Sequence, residues 1–252
     1  MGKVIINADD FGYSRGINYA IVDSHQLGIL TSTTIMAGMP GFEHAVELSK
    51  SNPNLGIGVH LTLTCGYPLL KDHKTIIDSS GRFKNLAFFT QENDYDLEEV
   101  YREWEAQIEK VIAAGINPSH LDSHHHTHSF PKQQAIVVKL ARKYNLPVRN
   151  NLSLPSDIVK VNRFEPLFDT VAIESEEALK VYLANVKNDI EHWGTVEIMV
   201  HPGYLDSDVY QGSSLTENRS YVADFLMNST FAKTLKKSKV IKLISYHELS
   251  DR

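Results

Sequence analysis

The sequence predicts an α/β fold, a TIM-like (β/α) barrel built as one domain over residues 1–252. Three observations predict it. Short β-rich runs alternate with longer amphipathic runs from end to end, the pattern of parallel strands joined by helical crossovers. About eight strands and about seven helices are expected, a complement that suits a closed barrel. No Gly/Ser linker, composition break or low-complexity tract divides the chain. An open doubly wound sheet is the alternative, although the GxGxxG fingerprint and the Walker loop are both absent.

The elements follow in order. KVIINA (3–8) reads as a buried strand, and 14–30 as a helix with Ser14 as its N-cap. STTIMA (32–37) is the second strand and 41–51 the second helix, stopped before Pro53. NLGIGVHLTL (54–63) is the third strand. Residues 65–96 lack periodicity and read as a long polar loop, a feature that in compact domains usually serves function. In 96–115, Leu97, Val100, Trp104, Ile108 and Val111 keep helical spacing, and Gly115 ends the helix. SHLDSH (119–124) is a short strand, followed by a helix from Pro131 to about Tyr144. LPVRN (146–150) and TVAIE (170–174) read as two more strands. A Ser-Glu-Glu start opens a helix over 175–193. TVEIMVH (195–201) is a clear strand. A second polar loop over 204–220 leads into a helix over about 219–236, and VIKLIS (240–245) closes the series.

Bulk properties narrow the function classes. Hydrophobic residues make up 42% of the chain and charged residues 22%, an ordinary globular balance. A net charge of −6 argues against nucleic acid or an anionic membrane as partner, since phosphate binding needs a basic face. Cys65 is the only cysteine, which rules out an intrachain disulfide and a Cys-rich zinc site. The N-terminal segment does not read as a signal peptide, and no apolar run reaches membrane-spanning length, so a cytoplasmic protein is expected.

The unusual polar residues fall at strand ends. Asp9 and Asp10 follow the first strand, and His60 lies near the end of the third. Asp122 and the run His124-His125-His126-Thr127-His128 end the fourth. Arg149 ends the fifth, and His201 ends the strand before Pro202-Gly203. Each alone is explained as a turn or core residue; a lone histidine in an apolar strand such as His60 is more often hydrogen-bonded core than ligand. Together they mark the C-terminal face where barrel enzymes gather catalytic groups. Neutral imidazole is a common metal ligand, and adjacent carboxylates can divide metal ligation from proton acceptance. Asp122 could orient an imidazole, and His125 and His126 could pack or meet substrate. The glycines at 56 and 58 suit close packing around His60.

NADDFGYSRGIN, TSTTIMA, GIGVHLTLT, PSHLDSHHHTH, LPVR and MVHPGY, in this order, resemble the YdjC-like family, whose characterised members are chitooligosaccharide (diacetylchitobiose) deacetylases. The resemblance spans about residues 3–205 and carries no motif in the loops at 65–96 and 204–220. It implies a distorted (β/α) barrel, one divalent metal ion (Mg2+ or Zn2+), and removal of acetate from a small N-acetylated sugar. It assigns Asp10, His60 and His124 to the metal, with His128 as the alternative ligand. Asp9 becomes the general base, His201 the acid or its support, and Arg149 the holder of base or substrate. One carboxylate and two imidazoles suit zinc or another transition ion better than magnesium. Tyr67, His126, Tyr204 and Asp206, with His73 and Tyr210, are expected to meet the sugar. A homodimer is expected only because soluble enzymes of this kind are commonly dimers. The rival readings are a metal-dependent phosphoesterase, a sugar isomerase, or a non-catalytic sugar-binding protein.

Overall fold

The first strand, β1 (Gly2–Phe11), organises the rest of the chain. In this computed structural model residues 2–250 are described; residues 1, 251 and 252 of the expected 1–252 domain lie outside the described residues. After β1 come α1 (Arg15–Gln26), β2 (Ser32–Ile35), α2 (Phe42–Lys50), β3 (Gly56–Leu61), α3 (Leu86–Thr90) and α4 (Leu97–Ala113). Next are β4 (Leu121–Ser123), α5 (Gln134–Tyr144), β5 (Arg163–Glu165), α6 (Phe168–Glu174), α7 (Glu176–Trp193) and β6 (Thr195–Val200). The chain continues through α8 (Ser207–Gly212), α9 (Glu217–Asn228), α10 (Thr230–Lys236), β7 (Ile241–Leu243) and α11 (His247–Ser250).

All strand pairings are parallel, in the order β4-β3-β2-β1-β6-β5. One edge of β1 pairs with β6 along Lys3–Ala8. The other edge pairs with β7 at Gly2–Val4 and with β2 from Asn7 onward. The result is the expected α/β class, as a curled half-barrel. Between β4 and β5 the regular ladder stops, and irregular chain spans the gap. Val148 bridges Leu121 on one side and donates its N–H to the Val159 carbonyl on the other (3.0 Å).

Alternation along the strands sorts two layers. Val4, Ile6, Ala8, Ile57, Val59, Val196, Ile198 and Val200 face the helices and form the main apolar core. The opposite face lines the barrel interior and is largely polar: Asn7, Asp9, Ser32, Thr34, His60, Asp122 and Glu197, all buried. Ile5, Val161, Ile244, Tyr246 and Leu249 plug its lower end. Gly58 makes room there, since a Cβ on it would lie 2.5 Å from the His120 ring.

Several local expectations hold. Ser14 accepts the N–H of Ile17, Ser175 accepts that of Ala178, and Gly115 takes φ +88 after α4. Others are corrected. TVAIE is helical: it lies within α6, where Phe168 packs on Tyr182 and Phe225. A short apolar run does not distinguish helix from strand, and tertiary packing decided it. LPVRN contributes only the Val148 bridge, and the unexpected strand is Arg163–Glu165. Among the described residues, seven strands therefore stand where eight were expected. The last long helix is divided at Ser229, which caps α10 by accepting the Ala232 N–H. The 65–96 segment is held by two buried carboxylates of α4. Glu99 accepts the N–H groups of Lys74, Thr75 and Ile76, and Glu103 accepts those of Leu69 and Leu70.

Candidate active site

Asp10 lies one residue before the end of β1, where the pairing with β2 slips between Ala8 and Phe11, and its backbone is left-handed, with φ 71. Asp tolerates that region better than most residues, because its short polar chain can bond locally. Its Oδ1 lies 3.2 Å from His124 Nδ1 and 3.6 Å from His60 Nε2. Ligand atoms of the three residues all lie within 4.8 Å of one another. Oδ1 is buried and accepts no hydrogen bond of ordinary geometry. Oδ2 accepts instead from Arg219 Nη2 (2.7 Å). Burial opposes ionisation of Asp10, but the Arg219 charge and the imidazole of His124 hold it well below the usual carboxylate range. His124 is desolvated too, yet the neighbouring Asp10 carboxylate and Cys65 push it up to about 9.

His60 presents Nε2 to this cluster because its other nitrogen is held. Nδ1 meets Asp122 Oδ1 at 2.7 Å and Thr34 Oγ1 at 3.0 Å. Such a carboxylate partner fixes the tautomer and orientation of a ligating imidazole. Beside it, the buried Arg149 guanidinium grips Asp9 with two hydrogen bonds (2.6 and 2.8 Å). The same group reaches Asp122 Oδ2 (2.9 Å) and Glu197 Oε1 (2.9 Å). Burial raises the pKa of Asp9, but Arg149 outweighs it through charge and hydrogen bonding and keeps Asp9 ionised. Glu197 in turn accepts the Tyr246 hydroxyl at 2.5 Å.

Across the pocket, His201 Nε2 lies 3.8 Å from Asp9 Oδ2, while Nδ1 bonds Asp169 at 2.5 Å. Burial would lower the pKa of His201; the charge and hydrogen bond of Asp169 raise it to about 9.

The remaining expected residues are spread more widely. The strand stops at Ser123, and His125 and His126 both take left-handed φ (54 and 55), so the histidine run turns rather than alternates. His128, the alternative ligand, is not among the three residues gathered at Asp10: its Nδ1 meets Ser123 Oγ and its Nε2 meets Asn151 Oδ1 (2.7 Å), which uses both nitrogens. His126 packs edge-on against Phe164. Asp206 is a structural cap, accepting from Val209 and Gly16, and His73 is buried on Glu103. Tyr204 donates to Asp23, whereas Tyr67 and Tyr210 are exposed. Arg219, Asp169 and Glu197 were missed. Glu197 carried a legible signal, a carboxylate inside the apolar strand TVEIMV that must find a partner when buried. Asp169 and Arg219 carried none; one lay just before the segment read as strand and the other at the start of an ordinary amphipathic helix.

A divalent cation fits the Asp10 group: a buried, unpaired carboxylate oxygen faces two imidazole nitrogens. Asp9, His60 and Asp122 form a second cluster, but Arg149 already supplies its positive charge. Fold and site together define a class: curled, parallel (β/α) half-barrels with a carboxylate–imidazole centre at the C-terminal strand ends. Within it, the chain belongs to the YdjC-like family, whose model matches residues 3–237. It is 43% identical over 227 residues to a carbohydrate deacetylase of Halalkalibacterium halodurans, covering 86% of this chain and 92% of that one. It is 40% identical over 249 residues to carbohydrate deacetylase 2 of Listeria innocua, covering 98% of each. A solved structure from Enterococcus faecalis V583, provisionally described as a cellobiose-phosphate cleavage protein, matches with a TM-score of 0.87 at 30% identity over 98% of each chain. No helix among the described residues is long and apolar enough to cross a membrane.

Proposed function

We propose that this chain is a metal-dependent carbohydrate deacetylase that hydrolyses the N-acetyl group of an amino sugar such as a chitooligosaccharide and releases acetate. The observation that carries the reading is the unpaired Asp10 Oδ1 between His60 and His124, with Asp9 and His201 beside it. The names of the relatives support the carbohydrate deacetylase part of it.

An ion held by Asp10, His60 and His124 would supply Lewis acidity, lowering the pKa of a water and polarising the acetyl carbonyl. The chain's own groups do the rest. Arg149 keeps Asp9 ionised and fixed, ready to accept the proton of the attacking water at Oδ2. Asp169 holds the His201 imidazole through Nδ1 and keeps it protonated near neutral pH, so that Nε2 can give a proton to the departing amine. Burial of Asp9 beside the half-buried His201 limits bulk water there and strengthens both effects.

Substrate beyond the acetyl group has a place to go. Thr64, whose hydroxyl meets His125 Nδ1, and Cys65 also line a cavity of about 460 Å³ with Arg82, Lys84 and Phe88. The cation Arg82 stands over the Tyr67 ring and Lys84 over Phe88. Aromatic faces suit sugar rings, and the two cations suit a 6-phosphorylated sugar. A two-metal phosphoesterase is disfavoured because Arg149 fills the second cluster. The deciding assay is acetate release from chitobiose, chitobiose 6-phosphate and N-acetylglucosamine, with the metal content measured alongside. Acetate release with one ion per chain supports the reading; phosphate release with two ions, or no turnover of any N-acetylated sugar, overturns it.

A further inference from the structure

The Asp10 carboxylate is divided between two tasks. Oδ1 faces His60 and His124, whereas Oδ2 belongs to Arg219, which lies 209 residues later in the chain. Arg219 is 3% exposed and itself firmly held. Its Nε donates to the Leu215 carbonyl (3.0 Å), and its own carbonyl accepts the Gly203 N–H (3.1 Å). Gly203 presses on its side-chain stem so closely that a Cβ there would lie 2.9 Å from Arg219 Cδ. The guanidinium is therefore fixed by α9 and by the His-Pro-Gly turn, independently of Asp10.

Asp10 needs such a support. It sits at a bulge in left-handed conformation, where the ladder to β2 is interrupted. The φ/ψ there aim the side chain but leave the rotation of the carboxylate undetermined. A carboxylate free to rotate can offer a cation one oxygen or two, and can turn away from it.

We infer that Arg219 is a positioning residue for the centre: by holding Oδ2 it presents Oδ1 alone to a cation between His60 and His124. This rests on reading Asp10, His60 and His124 as a metal site. A competing role has the opposite sign. If Arg219 only neutralises Asp10, it repels an incoming cation, and its removal tightens metal binding. If it orients Asp10, its removal weakens binding, as losing a hydrogen-bonding partner of a ligand typically does, by about 10–100-fold.

The test needs no turnover. Metal-free wild type, Arg219→Gln and Arg219→Lys are titrated with Zn2+ and with Co2+, following heat and the visible Co2+ absorption. Circular dichroism and thermal melting check that each variant is folded. The expected result is a roughly 10–100-fold rise in Kd for R219Q. Its Co2+ bands should also weaken, because gaining a second carboxylate oxygen raises the coordination number. R219K keeps the charge but loses the fork, and should also bind more weakly; its Kd decides between the two roles should R219Q fail to fold. A wild type that takes up no ion overturns the metal centre and this inference with it. A wild type that binds one ion, beside a folded variant with equal or tighter Kd and an unchanged Co2+ spectrum, overturns the inference alone.

Discussion

At the scale of single residues, neighbouring carboxylates on β1 are separated by what holds them. Asp9 is gripped at both oxygens by Arg149, whereas Asp10 Oδ1 faces two imidazoles without a hydrogen bond of ordinary geometry. Asp9→Asn should cut turnover by about 10²–10⁴-fold, the usual worth of a general base, while metal content stays at the wild-type level. Full activity in that variant would remove Asp9 from the chemistry. Asp10→Asn should lose metal yet stay folded, because Asn also tolerates left-handed φ. Asp10→Ala should lose metal and melt lower as well; equal melting of the two variants would count against backbone strain at this position. For His201 the acid form must be present. Its pKa is raised to about 9, so activity should persist through neutral pH and decline above about pH 9. Removing the Asp169 charge takes away the strongest influence that raises that pKa, and so lowers it. Asp169→Asn should therefore shift the alkaline limb of the kcat profile to lower pH. An unmoved limb would assign it to another group.

At the scale of elements, the instructive case is the polar stretch at 65–96. It has no periodicity of its own, yet it is ordered because α4 turns Glu99 and Glu103 into it as acceptors. A helix pattern was legible from its apolar positions; the partners of its buried acids were not, because they are backbone groups of no particular identity. Glu99→Gln keeps the shape but loses charge-assisted bonds, and should destabilise the protein by about 1–3 kcal/mol. Since Tyr67 and Arg82 ride on this segment, KM should rise more than kcat falls, with faster proteolytic nicking within 65–96. Unchanged KM and nicking would detach the segment from substrate binding. The TVAIE segment teaches the converse lesson. Five apolar-rich residues have no period to read, and packing of α6 against α7 and α9 made them helical.

At the scale of the whole molecule, the barrel interior is the unusual feature. One face of β1, β2, β3, β4 and β6 carries buried polar groups, so its charges stand or fall together around Arg149. A bound divalent ion would stabilise the folded state by about 2.7 kcal/mol at a concentration 100 times its Kd. Chelation should accordingly lower the melting temperature, and adding Zn2+ should restore it; a melting curve indifferent to both would argue against the centre. The amino-acid sequence by itself determined the α/β class, most element positions and the polar residues at the strand ends. It could do so because alternation, helical spacing and caps are local properties written in neighbouring residues. Tertiary structure alone decided that Arg219 reaches Asp10, that Asp169 backs His201, and that His128 meets Ser123 and Asn151. Those relations join positions up to 209 apart, or depend on where a strand gives way to left-handed backbone. No local pattern encodes them, because they arise only when the curled sheet brings separate strand ends to one rim.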